Sequence, residues 1–172
     1  MTNLVGSKRI LAIDASLYNH VYAALDANGW FNPNPGVRAS VEFIPEPLDA
    51  NKEIKPTKIS LSFEERIPDD GELGSNLSID SWYCYLDIYA DKSIVGMGLA
   101  NELSDILLGK FPSLGFGESR FDVVDPRDGT TAFSCGIDMV EIERSRNYDR
   151  AINKFWWTVS FRVSDAYYDD LK

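Results

Sequence analysis

Few residues in this chain could do chemistry, and their spacing limits what each could do. The single histidine, His20, stands in "SLYNHVYAALD" between the apolar positions Leu17 and Val21. Nucleophilic catalysis needs a Ser or Cys within reach of a base, and a third group to orient that base. No such set can be assembled around His20, so a structural histidine bordering an apolar stripe is expected. Cys84 and Cys135 have neither CxxC spacing nor a neighbouring His, and both stand in strand-like runs, the pattern of buried free thiols. Zinc would require His and Cys clusters that the chain lacks. Asp122, Asp125 and Asp128 recur at every third position, whereas a calcium loop uses alternate positions and a closing Glu. With Pro126 and Gly129 the stretch reads as a turn.

Two further patterns fail on the same physical grounds. "GMGLAN" (96–101) lacks the third glycine of the dinucleotide fingerprint, and its glycines fall inside a helical run instead of at its entrance. The neighbouring carboxylates Glu64–Glu65, Asp69–Asp70 and Asp169–Asp170 point to opposite strand faces or into solvent, a poor arrangement for paired acid and base work. The expectation is no catalytic residue, no metal and no cofactor.

The aromatic residues remain. In "DSWYCYLDIYADKS" (80–93), Trp82, Cys84, Leu86 and Ile88 fall on one face of a strand and Tyr83, Tyr85 and Tyr89 on the other, with Asp87 among them. Trp156 sits opposite in sense to Trp157 on a second strand, and Trp30–Phe31 follow a helix end. Tyr and Trp combine a large apolar body with a polar tip, which suits surfaces buried only when a partner arrives. Tyr83, Tyr85, Tyr89 and Trp156 are therefore the candidate subunit-interface residues. Ordinary core beneath a second layer of helices is the alternative.

The elements that position these side chains follow from periodicity. Ile10, Ile13, Leu17, Val21, Ala24 and Leu25 predict a helix over 8–28, stopped by "NG". Residues 37–44 and 57–65 alternate as strands. They are separated by the proline-broken "PEPLDANKEIKP", and a polar loop of about a dozen residues, "IPDDGELGSNLS", follows. The aromatic strand covers 80–90. A second helix spans about 92–110, with Asp91 or Ser93 as cap and Val95, Leu99, Leu103, Ile106 and Leu107 as its stripe. Gly96 and Gly98 weaken that helix unless a neighbouring backbone approaches closely. Three more strands are predicted at 121–123, 132–146 and 153–165, the last alternating Phe155, Trp157, Val159, Phe161 and Val163 against Trp156, Thr158, Ser160 and Arg162. The order predicts one α+β domain over 1–172: a mainly antiparallel sheet of about six strands, two main helices packed on one face, and loop insertions near 45–56 and 67–79.

With 172 residues, 44% apolar and 26% charged, the chain can bury a single large core. A net charge of −10 opposes phosphate binding, which needs clustered Lys and Arg. No apolar run approaches membrane-spanning length, and "MTNLVGSKRI" lacks the apolar core of a secretory signal, so synthesis in the cytoplasm is expected.

The strand "WYCYLDIYADKS", the helix "GLANELSDILLG" and the closing strand "FWWTVSFRVSDAYY", after an N-terminal helix, resemble the tail terminator (tail-completion, head–tail joining) proteins of long-tailed bacteriophages over residues 7–168. The resemblance is one of element order and texture. It implies a structural virion protein at the head–tail junction, assembled in the host cytoplasm as a homo-oligomeric ring, typically a hexamer. Such a ring caps the tail tube protein, stops tube growth and offers a docking surface to the head-completion or connector protein. DNA would pass through without specific binding, which an acidic channel favours. A different neck adaptor, or a monomeric small-molecule binding module with a pocket near "FPSLGFGES", are the alternatives.

Overall fold

The structure, a computed structural model, describes residues 7–31, 41–44, 57–69, 77–112, 115, 117–143, 148–149 and 154–168. The elements run α1 (Ser7–Ala27), β1 (Val41–Ile44), β2 (Thr57–Asp69), β3 (Leu77–Ala90), α2 (Ser93–Leu107), β4 (Arg120–Val124), β5 (Thr131–Glu143), β6 (Tyr148–Asp149) and β7 (Lys154–Tyr168). They form one α+β unit. Its sheet has the strand order β1-β2-β3-β7-β5-β4, and the two-residue β6 pairs onto β7. β1 runs parallel to β2, and every other pairing is antiparallel. Among the described residues no helix is long and apolar enough to cross a membrane.

β3 and β7 form the centre of the sheet, paired from Leu77↔Tyr168 to Ala90↔Phe155. On one face of this ribbon Trp82, Cys84, Leu86, Ile88, Trp157, Val159, Phe161 and Val163 are buried. They share a single apolar cluster with Ile13, Leu17, Val21 and Leu25 of α1 and Leu99, Leu103, Ile106 and Leu107 of α2. The 3.6-residue stripe of each helix is therefore what the strands' alternation meets. Ile10, which the periodicity placed in that stripe, is 38% exposed instead. Ser16 Oγ accepts a 3.0 Å hydrogen bond from the Val124 N–H, fixing α1 to strand β4. Nearer the start of α1, Arg9 pairs with the buried Asp165 of β7 and lies 4.1 Å over the Phe133 ring.

Several expectations need correction. Within the loop proposed for 67–79, residues 67–69 and 77–79 are strand. β2 and β3 stay paired, across a register shift between Phe63 and Arg66, as far as Asp69↔Ile79, and 70–76 lie outside the described residues. Pro68 does not end β2, because β1 accompanies β2 only over Thr57–Ser60 and an edge strand tolerates a residue without an N–H. The other expected insertion, 45–56, lies outside the described residues. Lys92, with no side-chain capping hydrogen bond, occupies the α2 cap position expected for Asp91 or Ser93. Gly96 makes room for a side chain instead of a backbone: a Cβ there would lie 2.4 Å from Trp157 Cδ1. Trp30 turns inward and Phe31 is partly buried beside it. Trp30 is buried and donates a 2.7 Å hydrogen bond to Glu102 Oε1, while Phe31 stacks on Tyr22 at 4.6 Å. In β5 the register shifts between Asp138 and Glu141, where Met139 takes a φ of 51° and stands 56% exposed, an outward bulge that the sequence did not announce.

Candidate interaction surface

The second face of the sheet carries all four candidate interface residues. Tyr83, Tyr85 and Tyr89 are half-buried, and Trp156 is 37% exposed. Register places each of them against a partner on this face: Tyr83 opposite Arg162, Tyr85 opposite Ser160, and Tyr89 opposite Trp156. The last pair stacks, with ring centroids 5.9 Å apart and planes inclined by 15°.

The face is less apolar than the aromatic pattern alone suggests. Asp87 Oδ1 accepts hydrogen bonds from Trp156 Nε1 (2.9 Å) and Thr158 Oγ1 (2.6 Å). Thr158 is buried on this face, and Asp87 ties it to the Trp156 indole. Arg162 meets Asp138 in a two-pronged pair, 2.7 Å from Nε and 2.8 Å from Nη2, the geometry a guanidinium makes best with a carboxylate. Beyond these paired groups stand Glu64 of β2 and Glu141 and Glu143 of β5, all exposed and none in an ion pair among the described residues. Partial burial, then the charges of Glu64 and Glu143, push the Tyr85 hydroxyl above its ordinary value. Tyr85 therefore stays a neutral donor over the whole physiological range, ringed by acceptors. The aromatic pattern missed these carboxylates. The signal for two of them was present in the alternation of Glu141 and Glu143 with Val140 and Ile142.

A concavity of about 650 Å³ lies between α1 and β4. Ser16, Asn19 and His20 form one wall, spaced for a single helix face, and Glu118, Arg120 and Asp122 line the opposite side. The loop after α2 closes on itself here. Gly109 has a φ of +68°, and a Cβ on it would lie 2.4 Å from the Glu118 carbonyl carbon. This is the region of "FPSLGFGES" where a pocket was expected. His20 borders the core, its ring 5.9 Å from that of Phe121. Burial lowers its pKa, and the Asp122 charge opposes that shift, so the imidazole is neutral at pH 7.

Ser16 Oγ, one helical turn before His20, accepts the hydrogen bond from the Val124 amide. Burial pushes the thiols of Cys84 and Cys135 far up, and both are free. Asp122, Asp125 and Asp128 do not converge. Asp122 accepts a hydrogen bond from Ser134 Oγ at 2.6 Å, Asp125 holds Arg127, and Asp128 bonds Thr130. Among the described residues no group of three or more His, Cys, Asp and Glu side chains could hold a metal ion. The adjacent pair Asp169–Asp170 lies outside the described residues, as does Asp70. No protein-family model matches the chain, and no curated protein matches it significantly.

Proposed function

We propose that the chain is a structural subunit of a closed ring, a tail terminator that caps the tail tube of a long-tailed bacteriophage and presents a joining surface to the head connector. One observation carries this reading. The sheet face opposite the core bears Tyr83, Tyr85, Tyr89 and Trp156 together, three of them half-buried and Trp156 37% exposed. Half-buried aromatics among paired polar groups have the composition of an interface centre. A ring made by head-to-tail contact needs such a surface on every subunit. The order α1, three strands, α2 and further strands also agrees with the resemblance to the tail terminators. An acidic balance suits a passage through which DNA slides.

Tyr85→Asp tests the reading. It adds a charge beside Glu64 and Glu143 at the middle of the face, so the monomer should keep its circular dichroism spectrum and lose assembly. Rings surviving in native mass spectra of that variant would show that the interface lies elsewhere. Purified rings added to polymerising tail tube protein should halt growth at one tube end. Tubes of unlimited length in their presence would end the terminator reading, and binding to the connector alone would favour a neck adaptor. The groove between α1 and β4 supports a second reading, a small-molecule binding module. Strict monomers at high concentration would favour it.

A further inference from the structure

We infer that, in the proposed ring, the surface seated on the tyrosine face is the outward N-terminal part of α2 from the next copy of this chain, formed by Lys92, Ile94, Met97 and Gly98. The inference rests on the ring reading and names its second surface.

Three observations carry it. First, Ile94 is 66% exposed and Met97 38% exposed, on the side of α2 away from its buried residues Leu99, Leu103 and Ile106. An adaptable thioether and a branched aliphatic side by side suit contact with tyrosine rings. Second, the two glycines of α2 differ. Gly96 is required by Trp157, whereas a Cβ on Gly98 would meet nothing within 4 Å. Glycine weakens a helix interior relative to alanine, and nothing described in the chain itself calls for it at position 98. A flat, side-chain-free spot between Ile94 and Asn101 lets an opposing sheet come close. Third, the charges match. The tyrosine face presents Glu64, Glu141 and Glu143, with no ion pair among the described residues. The first turn of α2 contains no acidic residue, its cap residue Lys92 makes no side-chain capping bond, and Lys92 is exposed. The adjacent Asp91 is already bridged to Lys154.

The placement agrees. α2 packs over Trp157, and the neighbouring Trp156 points to the other face of the same strand. One subunit thus carries the two surfaces back to back. That is the condition for a head-to-tail contact, which closes into a ring when the rotation between copies allows.

Cross-linking between copies tests this. Ser160→Cys sits beside Tyr85 in register, and Asn101→Cys sits one turn beyond Gly98, so neither change removes an anchoring side chain. The native Cys84 and Cys135 are fully buried and stay silent. A short bismaleimide added to an equimolar mixture of the two variants should give a cross-linked dimer. Either variant alone should give none, and the double variant should give a ladder up to ring size. Lys92→Glu should weaken assembly at least tenfold at low salt, with the effect shrinking as salt is added. Native mass spectrometry reads the ring independently. Rings without the 101–160 cross-link, or Ser160→Cys cross-linking to itself, would overturn the inference and leave the ring reading standing. The absence of rings from the unmodified chain would remove both. Cross-linking of Asn101→Cys only to added tube or connector protein would reassign α2 to that partner and overturn the inference.

Discussion

Replacing Gly96 by alanine sets two opposing effects against each other inside one helix, and Gly98, two residues on, supplies the control. Alanine is favoured over glycine in a helix interior by about 1 kcal/mol. At position 98 nothing lies within 4 Å of the added methyl, so Gly98→Ala should stabilise the protein by roughly that amount. At position 96 the methyl would sit 2.4 Å from Trp157 Cδ1 and 2.7 Å from Nε1, with Ala90 Cβ at 3.3 Å on the other side. Carbon atoms rest at roughly 3.5–4.0 Å, so the indole or the helix must retreat by about 1 Å. Trp157 is only 9% exposed and belongs to the core cluster, which leaves it little room to move. Overpacking of this kind costs about 2–3 kcal/mol, in the upper part of its usual range. Subtracting the propensity gain leaves Gly96→Ala less stable by about 1–2 kcal/mol, and the two variants separated by roughly 2–3 kcal/mol.

In a domain of this size that gap corresponds to about 5–10 °C in Tm. Thermal and urea unfolding followed by circular dichroism and tryptophan fluorescence measure it. Two protein concentrations should be used so that self-association is read separately. Trp157→Phe should relieve much of the clash, giving a coupling energy above about 1 kcal/mol in the double-mutant cycle with Gly96→Ala. Equal stabilisation by alanine at both positions would refute the reasoning, because it would mean that Trp157 does not press against the start of α2.

Arg9→Ala should destabilise the fold by about 3–5 kcal/mol at neutral pH, since it strands the carboxylate of Asp165 in the core. Burial already holds Asp165 above the usual carboxylate range, against the lowering effect of Arg9 and together with the raising effect of Asp80. The folded form therefore holds that proton more tightly than the unfolded chain, and the variant's deficit should shrink as pH falls through the folded pKa; a pH-independent deficit would contradict this. Asp125 behaves oppositely: the Arg127 side chain, then its backbone N–H, hold the carboxyl down at about 2. Its stabilising contribution is present above the ordinary carboxylate value and lost as pH falls through about 2. In Arg127→Ala the carbon-13 carboxyl titration should move upward. Cys84 and Cys135 should resist thiol reagents in the native protein and react only on unfolding, and rapid labelling at pH 7 would show that the core is open.

How much of this could be read from residue order alone depends on the range of the interaction. The alternation in β3 and β7 was sufficient to assign Trp82, Cys84, Leu86, Ile88, Val159, Phe161 and Val163 to the core and Tyr83, Tyr85, Tyr89 and Trp156 to the other face. A strand's side chains alternate whatever the rest of the molecule does. The stripes of α1 and α2 follow from helical period in the same way, and they meet in one cluster because each needs an apolar partner. The network on the tyrosine face was not legible. Asp87 reaches Trp156 and Thr158 across about seventy intervening residues, and only the β3–β7 register decides that they meet.

The same holds for Arg9 and Asp165, which lie 156 positions apart, and for Trp30, an exposed-looking aromatic beside prolines that turns inward to Glu102. Pro68 reads as a strand breaker until the short reach of β1 leaves β2 an edge at that point. Gly96 and Gly98 are indistinguishable by local pattern, and the docking of α2 on Trp157 alone gives them opposite roles. Local periodicity states which way a side chain points. Which atoms lie there is settled when strands choose their register and helices their position on the sheet.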